Sequence, residues 1–234
     1  MILVVLSAIT IVAFQSCRKE AGNGPSITKT YSITGFTSID AGIDGDVYYT
    51  QDSEYKVEIY AQQNILDKIE TPIENGQLRL QFRKYAYPGK HNRIVTHISS
   101  PLVSGLSVNG SGSMYVNAPV SSDNMTLKVN GSGYISMSSF TGTDLSATVN
   151  GSGRIAVNGG SVVNEDLRIS GSGDLDMLNL FAQNANVHTS GSGNTSLYAG
   201  NWLDIFISGS GNVYYRGNPS VSTSISGSGK VTHQ

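Results

Sequence analysis

Gly-Ser-Gly occurs seven times in the second half of the chain, beginning at Gly110, Gly131, Gly151, Gly171, Gly191, Gly209 and Gly227. Successive starts lie 21, 20, 20, 20, 18 and 18 residues apart. A fixed period of this size marks stacked structural repeats, each burying its apolar side against its neighbours. Aligning the copies on the first glycine shows the pattern inside one repeat. Two residues before it stand Val108, Val129, Val149, Ile169, Thr189, Ile207 and Ile225; four before it stand Leu106, Leu127, Ala147, Leu167, Val187, Ile205 and Thr223. Four after it stand Met114, Ile135, Ile155, Leu175, Thr195, Val213 and Val231. This is period-two alternation on both sides of the triplet, and it predicts two β-segments per repeat with one buried face.

The same parity assigns both glycines of each triplet to the inner side and the serine to the outer side, so the triplet reads as a corner repeated in every coil. Stacking then sets Ser111, Ser132, Ser152, Ser172, Ser192, Ser210 and Ser228 in one external ladder. A second holds Asn109, Asn130, Asn150, Ser170, Ser190, Ser208 and Ser226. A propeller blade needs about twice this period, and the leucine-rich repeat consensus is missing. The spacing fits an all-β fold, a parallel β-helix with coils of about 20 residues, right-handed as parallel crossovers are.

Composition supports short strands and tight turns: 38% of residues are hydrophobic, 14% charged, and 27 of 234 are glycine. A net charge of −2 offers no basic stripe for nucleic acid. Ile2 to Phe14 is an apolar run that suits a secretory signal, too short to span a bilayer comfortably. The single cysteine, Cys17, follows it directly and resembles a bacterial lipobox, where the signal is cut before the cysteine and its thiol carries lipid. The alternative is an ordinary signal with a chance cysteine. One cysteine allows no disulfide within the chain, so stability must come from stacking.

The organisation expected is a signal peptide over residues 1–17 and a polar linker over 18–27. An N-terminal β section and cap follows over 28–105, continuous with the repeat β-helix over 106–234. In the first half, strands are expected over Tyr31–Phe36, Asp46–Gln51, Tyr55–Ala61, Gln77–Arg83 and Ile94–Ser99, with a short helix over Asn64–Glu70. Asn75-Gly76 is a hairpin turn signal.

Several ordered stretches resemble a known family. They are Phe36-x-x-Ile39 with Gly42 and Asp46-Val47-Tyr48-Tyr49-Thr50-Gln51, then Tyr55 to Ile59 before Asn64 to Ile69. Glu74-Asn75-Gly76-Gln77-Leu78-Arg79-Leu80 and the triplet array complete the set. Together they resemble the head GIN domain family, described as auto-transporter adhesins and common in Bacteroidetes. The resemblance implies a β-helix-like fold, an envelope location and no catalytic motif.

Candidate chemistry is sparse. Calcium-binding β-rolls need an acid at one fixed place in each repeat; here the residue after the triplet is Ser113, Tyr134, Arg154, Asp174, Asn194, Asn212 or Lys230. No metal or other cofactor is expected. A polysaccharide lyase or hydrolase would need clustered outward carboxylates, and the best cluster is Asp174 and Asp176 near Arg154, which also reads as a surface ion pair. His91, His97, His188 and His233 lack metal-ligand spacing, and His188 reads as solvated. The segment from Arg83 to Arg93 concentrates positive charge. Arg83, Lys84, Tyr85, Tyr87, Lys90 and Arg93 form the candidate binding set, for an anionic glycan or envelope partner; a solvated loop is the plainer reading. The leading function is a non-catalytic envelope binding or adhesion module, lipid-anchored and probing a glycan or surface protein. A polysaccharide-acting enzyme and an envelope assembly subunit are the alternatives.

Overall fold

The computed structural model describes residues 19–86 and 88–234. They form a β-helix whose coils run along three faces. The long face stacks Gln77–Phe82, Ser38–Ala41, Gly105–Gly110 and Asn124–Gly131 in parallel register, followed by 144–151, 164–171, 184–191, 202–209 and Ser220–Gly227. The short face stacks Ile94–Ser100, Gly45–Gln51, Ser113–Val116, Tyr134–Met137 and Arg154–Val157, then 174–177, 195–198, Asn212–Arg216 and Lys230–His233. A narrow third side pairs Val120–Ser121 with 140–141, and these with 160–161.

The alternation of the sequence becomes the core. Every apolar residue at the two inward positions before the triplet is buried from Leu106 and Val108 to Ile205 and Ile207, and those after it from Met114 to Val213. Identical positions sit above one another, so each inward side chain meets its own repeat mates and the interior forms columns of Val, Ile, Leu and Met.

The triplet departs from strict parity. The second glycine of each triplet up to Gly211 is buried, as expected, but the first is exposed or half-buried. All seven first glycines have φ between +105° and +134°, a region L-residues with a β-carbon avoid. The chain turns at that residue, so the period-two rule breaks there and resumes one residue later. The second glycine is required by proximity: a β-carbon on Gly153 would lie 2.5 Å from the Gly133 carbonyl oxygen and 2.5 Å from Val129 Cγ1. The amides of Ser152 and Gly153 both donate to the Gly131 carbonyl at 2.9 Å, which ties each corner to the one beneath.

The first half joins the same column, but its coils stack out of chain order. The coil containing Ser38–Ala41 and Gly45–Gln51 lies between the coil of Gln77–Phe82 and Ile94–Ser100 and the first triplet coil. Outside these, direction reverses. Lys56–Gln62 pairs antiparallel with Ile94–Ser100, and Ser26–Tyr31 pairs antiparallel with Lys56–Gln62. Ile73–Glu74 and Gln77–Phe82 form a hairpin through Asn75-Gly76, both with positive φ as a type I′ turn demands. A one-turn helix, Gln63–Leu66, buries Ile65 and Leu66.

Three expectations for this half change. The helix ends at Leu66 and does not reach Glu70, because Ile69–Glu70 pairs as a strand with Gln77–Phe82. The first strand is Ser26–Tyr31, not Tyr31–Phe36, because an edge strand of the cap needs no apolar alternation. The polar stretch after Lys19 is also held down. The Gly22 amide donates to the Lys90 carbonyl and Gly89 to Glu20, while Glu20 accepts from Lys68 Nζ at 2.6 Å and from Asn64. The signal and Cys17 lie outside the described residues.

Candidate binding surface

On the outer faces the polar repeats form three hydrogen-bonded ladders, and each begins with an aspartate. On the long face, Asn109 donates to Asp40, Asn130 to Asn109 at 2.7 Å and Asn150 to Asn130 at 2.9 Å. Asn164 donates to Asp144 at 2.8 Å and Asn184 to Asn164 at 3.2 Å. On the short face Asn194 donates to Asp174 at 3.2 Å and Asn212 to Asn194 at 3.0 Å. Each side-chain amide passes its N–H toward the N-terminal end, so the first member need only accept, and a carboxylate is acceptor-only.

This accounts for the acids flagged by sequence. Asp174 heads a ladder, while Asp176 accepts from Arg154 Nη2 at 2.7 Å. Arg154 stands opposite Asp174 in register, as expected, yet its bond runs diagonally to Asp176. Among the described residues no three His, Cys, Asp or Glu side chains are placed to share a metal ion.

The structure does not gather the predicted basic set into one cluster. Arg83, at the start of the loop, pairs with Glu70 at 3.4 Å. Arg93, at its end, is bound to the buried carboxylate of Asp46, whose hydrogen bond and charge hold the guanidinium even more firmly protonated. Lys84 lies over the ring of Tyr85, which has φ of 67° and is largely exposed. Lys90 is exposed, and Tyr87 lies outside the described residues.

A different feature stands out on the long face. From Asn124 onward its outward positions carry Asn, Asp, Ser, Thr, Lys, Arg or His, with one exception: the strand over 202–209 presents Trp202 and Phe206. They are 37% and 45% exposed. Asp204 lies between them. Phe206 stacks on His188, centroids 4.8 Å apart and planes within 8°, so His188 is half of an aromatic pair and not simply solvated. On the other side the register places Ser220, Ser222, Ser224 and Ser226 opposite Trp202, Asp204, Phe206 and Ser208.

Two shallow depressions flank these rings. One of about 490 Å³ is lined by Arg168, His188, Phe206, Ser208, Ser224 and Ser226, where the asparagine ladder has given way to serine. The other, about 450 Å³, is lined by Asp144, Asn164, Asn184, Asn186 and Trp202. Beneath the second, Glu165 points inward in a column with Leu145 and Ala185 above and below it. It is buried, neither carboxylate oxygen has a partner among the described residues, and desolvation raises its pKa from 4.5 to about 8.

The model of the family described as "Putative auto-transporter adhesin, head GIN domain" matches residues 35–219. The chain belongs to that family. Solved structures agree. A putative adhesin from Bacteroides fragilis is 26% identical with a TM-score of 0.87, over 92% of this chain and 99% of that one. A putative lipid binding protein from Parabacteroides distasonis is 25% identical with a TM-score of 0.76, over 93% and 100%. A putative adhesin from Parabacteroides merdae, 22% identical with a TM-score of 0.73, shares the fold over 92% and 98%. No curated protein matches the chain significantly. The GIN-domain match opens beside the buried Phe36 and includes the Trp202 strand. Membership in an adhesin-like family agrees with association with the envelope or surface.

Proposed function

We propose that this GIN-domain protein is a non-catalytic adhesion module of the cell envelope, anchored in the outer membrane by lipid on Cys17. One observation carries the reading: the outer faces repeat polar ladders along the stack, and the acidic pair flagged for catalysis, Asp174 and Asp176, is engaged in a ladder and an ion pair. Repeated, weakly binding surfaces suit adhesion because many modest contacts on one partner multiply. The partner is a glycan or a surface protein. The exposed part of the loop, Lys84, Tyr85 and Lys90, is offered as a further contact for an anionic one.

The test is retention of the protein on purified envelope and on a glycan array, with reducing-sugar release followed in parallel. Retention without sugar release is expected; release abolished by Asp174→Asn with Asp176→Asn would overturn the reading in favour of an enzyme. Cys17→Ala should move the protein from the membrane to the soluble fraction, and unchanged membrane association would remove the anchor from the proposal.

A further inference from the structure

We propose that Trp202 and Phe206 form a shelf that binds a neutral carbohydrate chain laid along their strand. The proposal rests on the adhesion reading only in taking the protein to be a binder. Two large rings at outward positions leave 37% and 45% of their surface exposed, apolar area that the fold does not cover. The neighbouring strands present Asn184, Asn186 and His188 on one side and serines on the other, so no second apolar row extends the pair into a broad patch.

The geometry selects the ligand. Four residues along an extended strand set the rings about 13 Å apart, with the Asp204 carboxylate between them. Phe206 is covered by His188 on one flank, but on the other it faces only Ser224, whose short side chain leaves that flank open. Trp202 faces Ser220 in the same way. A pyranose ring has a flat patch of C–H bonds bordered by hydroxyl groups. It can lay the patch on an aromatic face and donate its hydroxyls to a carboxylate or exchange hydrogen bonds with serine. The shelf supplies these groups in alternation: ring, carboxylate, ring, with a row of serines alongside.

Charge selects a neutral chain over an acidic one. Asp204 lies between the rings and would repel a uronate or sulfate. Arg168, which lines the depression beside Phe206, is held by Asp166 at 2.9 Å. A protein partner fits less well, since a stable protein interface covers about 1,200–2,000 Å² around a continuous apolar centre. Here a carboxylate separates the two apolar groups.

Titration calorimetry with cellohexaose, mannohexaose and hexa-N-acetylchitohexaose, and with a hexauronate as the acidic counterpart, tests the inference. At least one neutral hexasaccharide should bind, and more tightly than the hexauronate. Trp202→Ser and Phe206→Ser should each weaken it about tenfold, as loss of one aromatic contact predicts. Ser224→Tyr leaves both rings in place and covers the open flank of Phe206, so it should weaken binding too, even if a serine variant folds poorly. The thermal midpoint of each variant is read alongside.

Absence of binding by all three neutral sugars overturns the proposal. So does preference for the hexauronate, or affinity unchanged in folded variants. Retention on envelope, measured with the same variants, separates the two claims. Retention without sugar binding leaves adhesion standing and removes the shelf; sugar binding without retention does the reverse. If the shelf variants lose capture of an envelope protein while no sugar binds, the carbohydrate assignment is likewise removed.

Discussion

The two ends of the described column are finished differently. At the N-terminal end the parallel stack is closed by strands that reverse direction, Lys56–Gln62 and Ser26–Tyr31 on the short face and Ile73–Glu74 beside the long one. The helix Gln63–Leu66 adds two buried side chains there. At the other end Ser220–Gly227 and Lys230–His233 have a neighbouring strand on one side only. All eight residues of Ser220–Gly227 are exposed, inward-pointing Val221 and Ile225 among them. In a stack each coil gains its stability from the coils above and below, so a defect should cost more where both neighbours exist.

The largest effect should come from the corner glycines. Gly153→Val forces a side chain into the Gly133 carbonyl and Val129, with coils packed on both sides. A loss of about 3 kcal/mol or more is expected from the urea midpoint, at the upper end of overpacking costs. Gly229→Val meets Gly211 and Ile207 in the same way, but the last coil can lift away, and a loss under about 1 kcal/mol is expected. Equal losses at the two positions would show that the column unfolds as one unit and that its ends are not local.

Glu165 breaks the rule of an apolar middle, and its effect should come next. Its folded-state pKa of about 8 lies above the 4.5 of an unhindered carboxyl, so between these values the folded chain holds the proton and the unfolded chain has lost it. The contribution of this group to stability is therefore greatest below pH 4.5. It should fall with rising pH by up to about 1.4 kcal/mol per unit from this group, and level off above about pH 8. Glu165→Leu should flatten that slope and raise the stability read by urea unfolding at pH 8 by several kcal/mol at most, because Leu145 already fills the same column. A slope unchanged in the variant would mean that another group titrates.

Parity carried most of the fold. The inner columns from Leu106 to Val213 are where alternation puts them, because a buried strand face leaves little freedom. Extended two positions further from the triplet, the same parity brings Glu165 into the core; extended three, it turns Trp202 outward. The corner itself escaped parity, since an alternating pattern assumes an unbroken strand and the first glycine of each triplet turns the chain. Ser26–Tyr31 escaped because five polar or exposed residues on an edge carry no periodic signal. The loop cations were visible as a run of charge, but the fold attaches Arg83 to Glu70 and Arg93 to Asp46 on different strands, and closeness in sequence did not become a cluster.

Smaller effects refine the contrast between ends. Ile205→Val trims a fully packed column position and should cost about 0.5–1.5 kcal/mol. Ile225→Val, one coil further and 42% exposed, should cost well under half as much. Amide exchange should follow the same order, with residues 220–233 exchanging first and Leu78 to Leu80 of the capped end among the last. Comparable losses at Ile205 and Ile225 would imply that something covers the open end in solution.

The smallest effects belong to the surface charges, and they ask what holds the cap. Arg79–Glu74 bridges the cap hairpin at 2.8 Å, and Arg154–Asp176 spans two coils of the array at 2.7 Å; all four side chains are more than a third exposed. Replacing either arginine with alanine should cost about 0–1 kcal/mol, less in high salt, because water screens both pairs. If the cap is held by burial of Ile65, Leu66 and Leu78, the two substitutions will be equally mild. A markedly larger and salt-sensitive loss at Arg79 would shift the explanation for the closed end from apolar packing to charge.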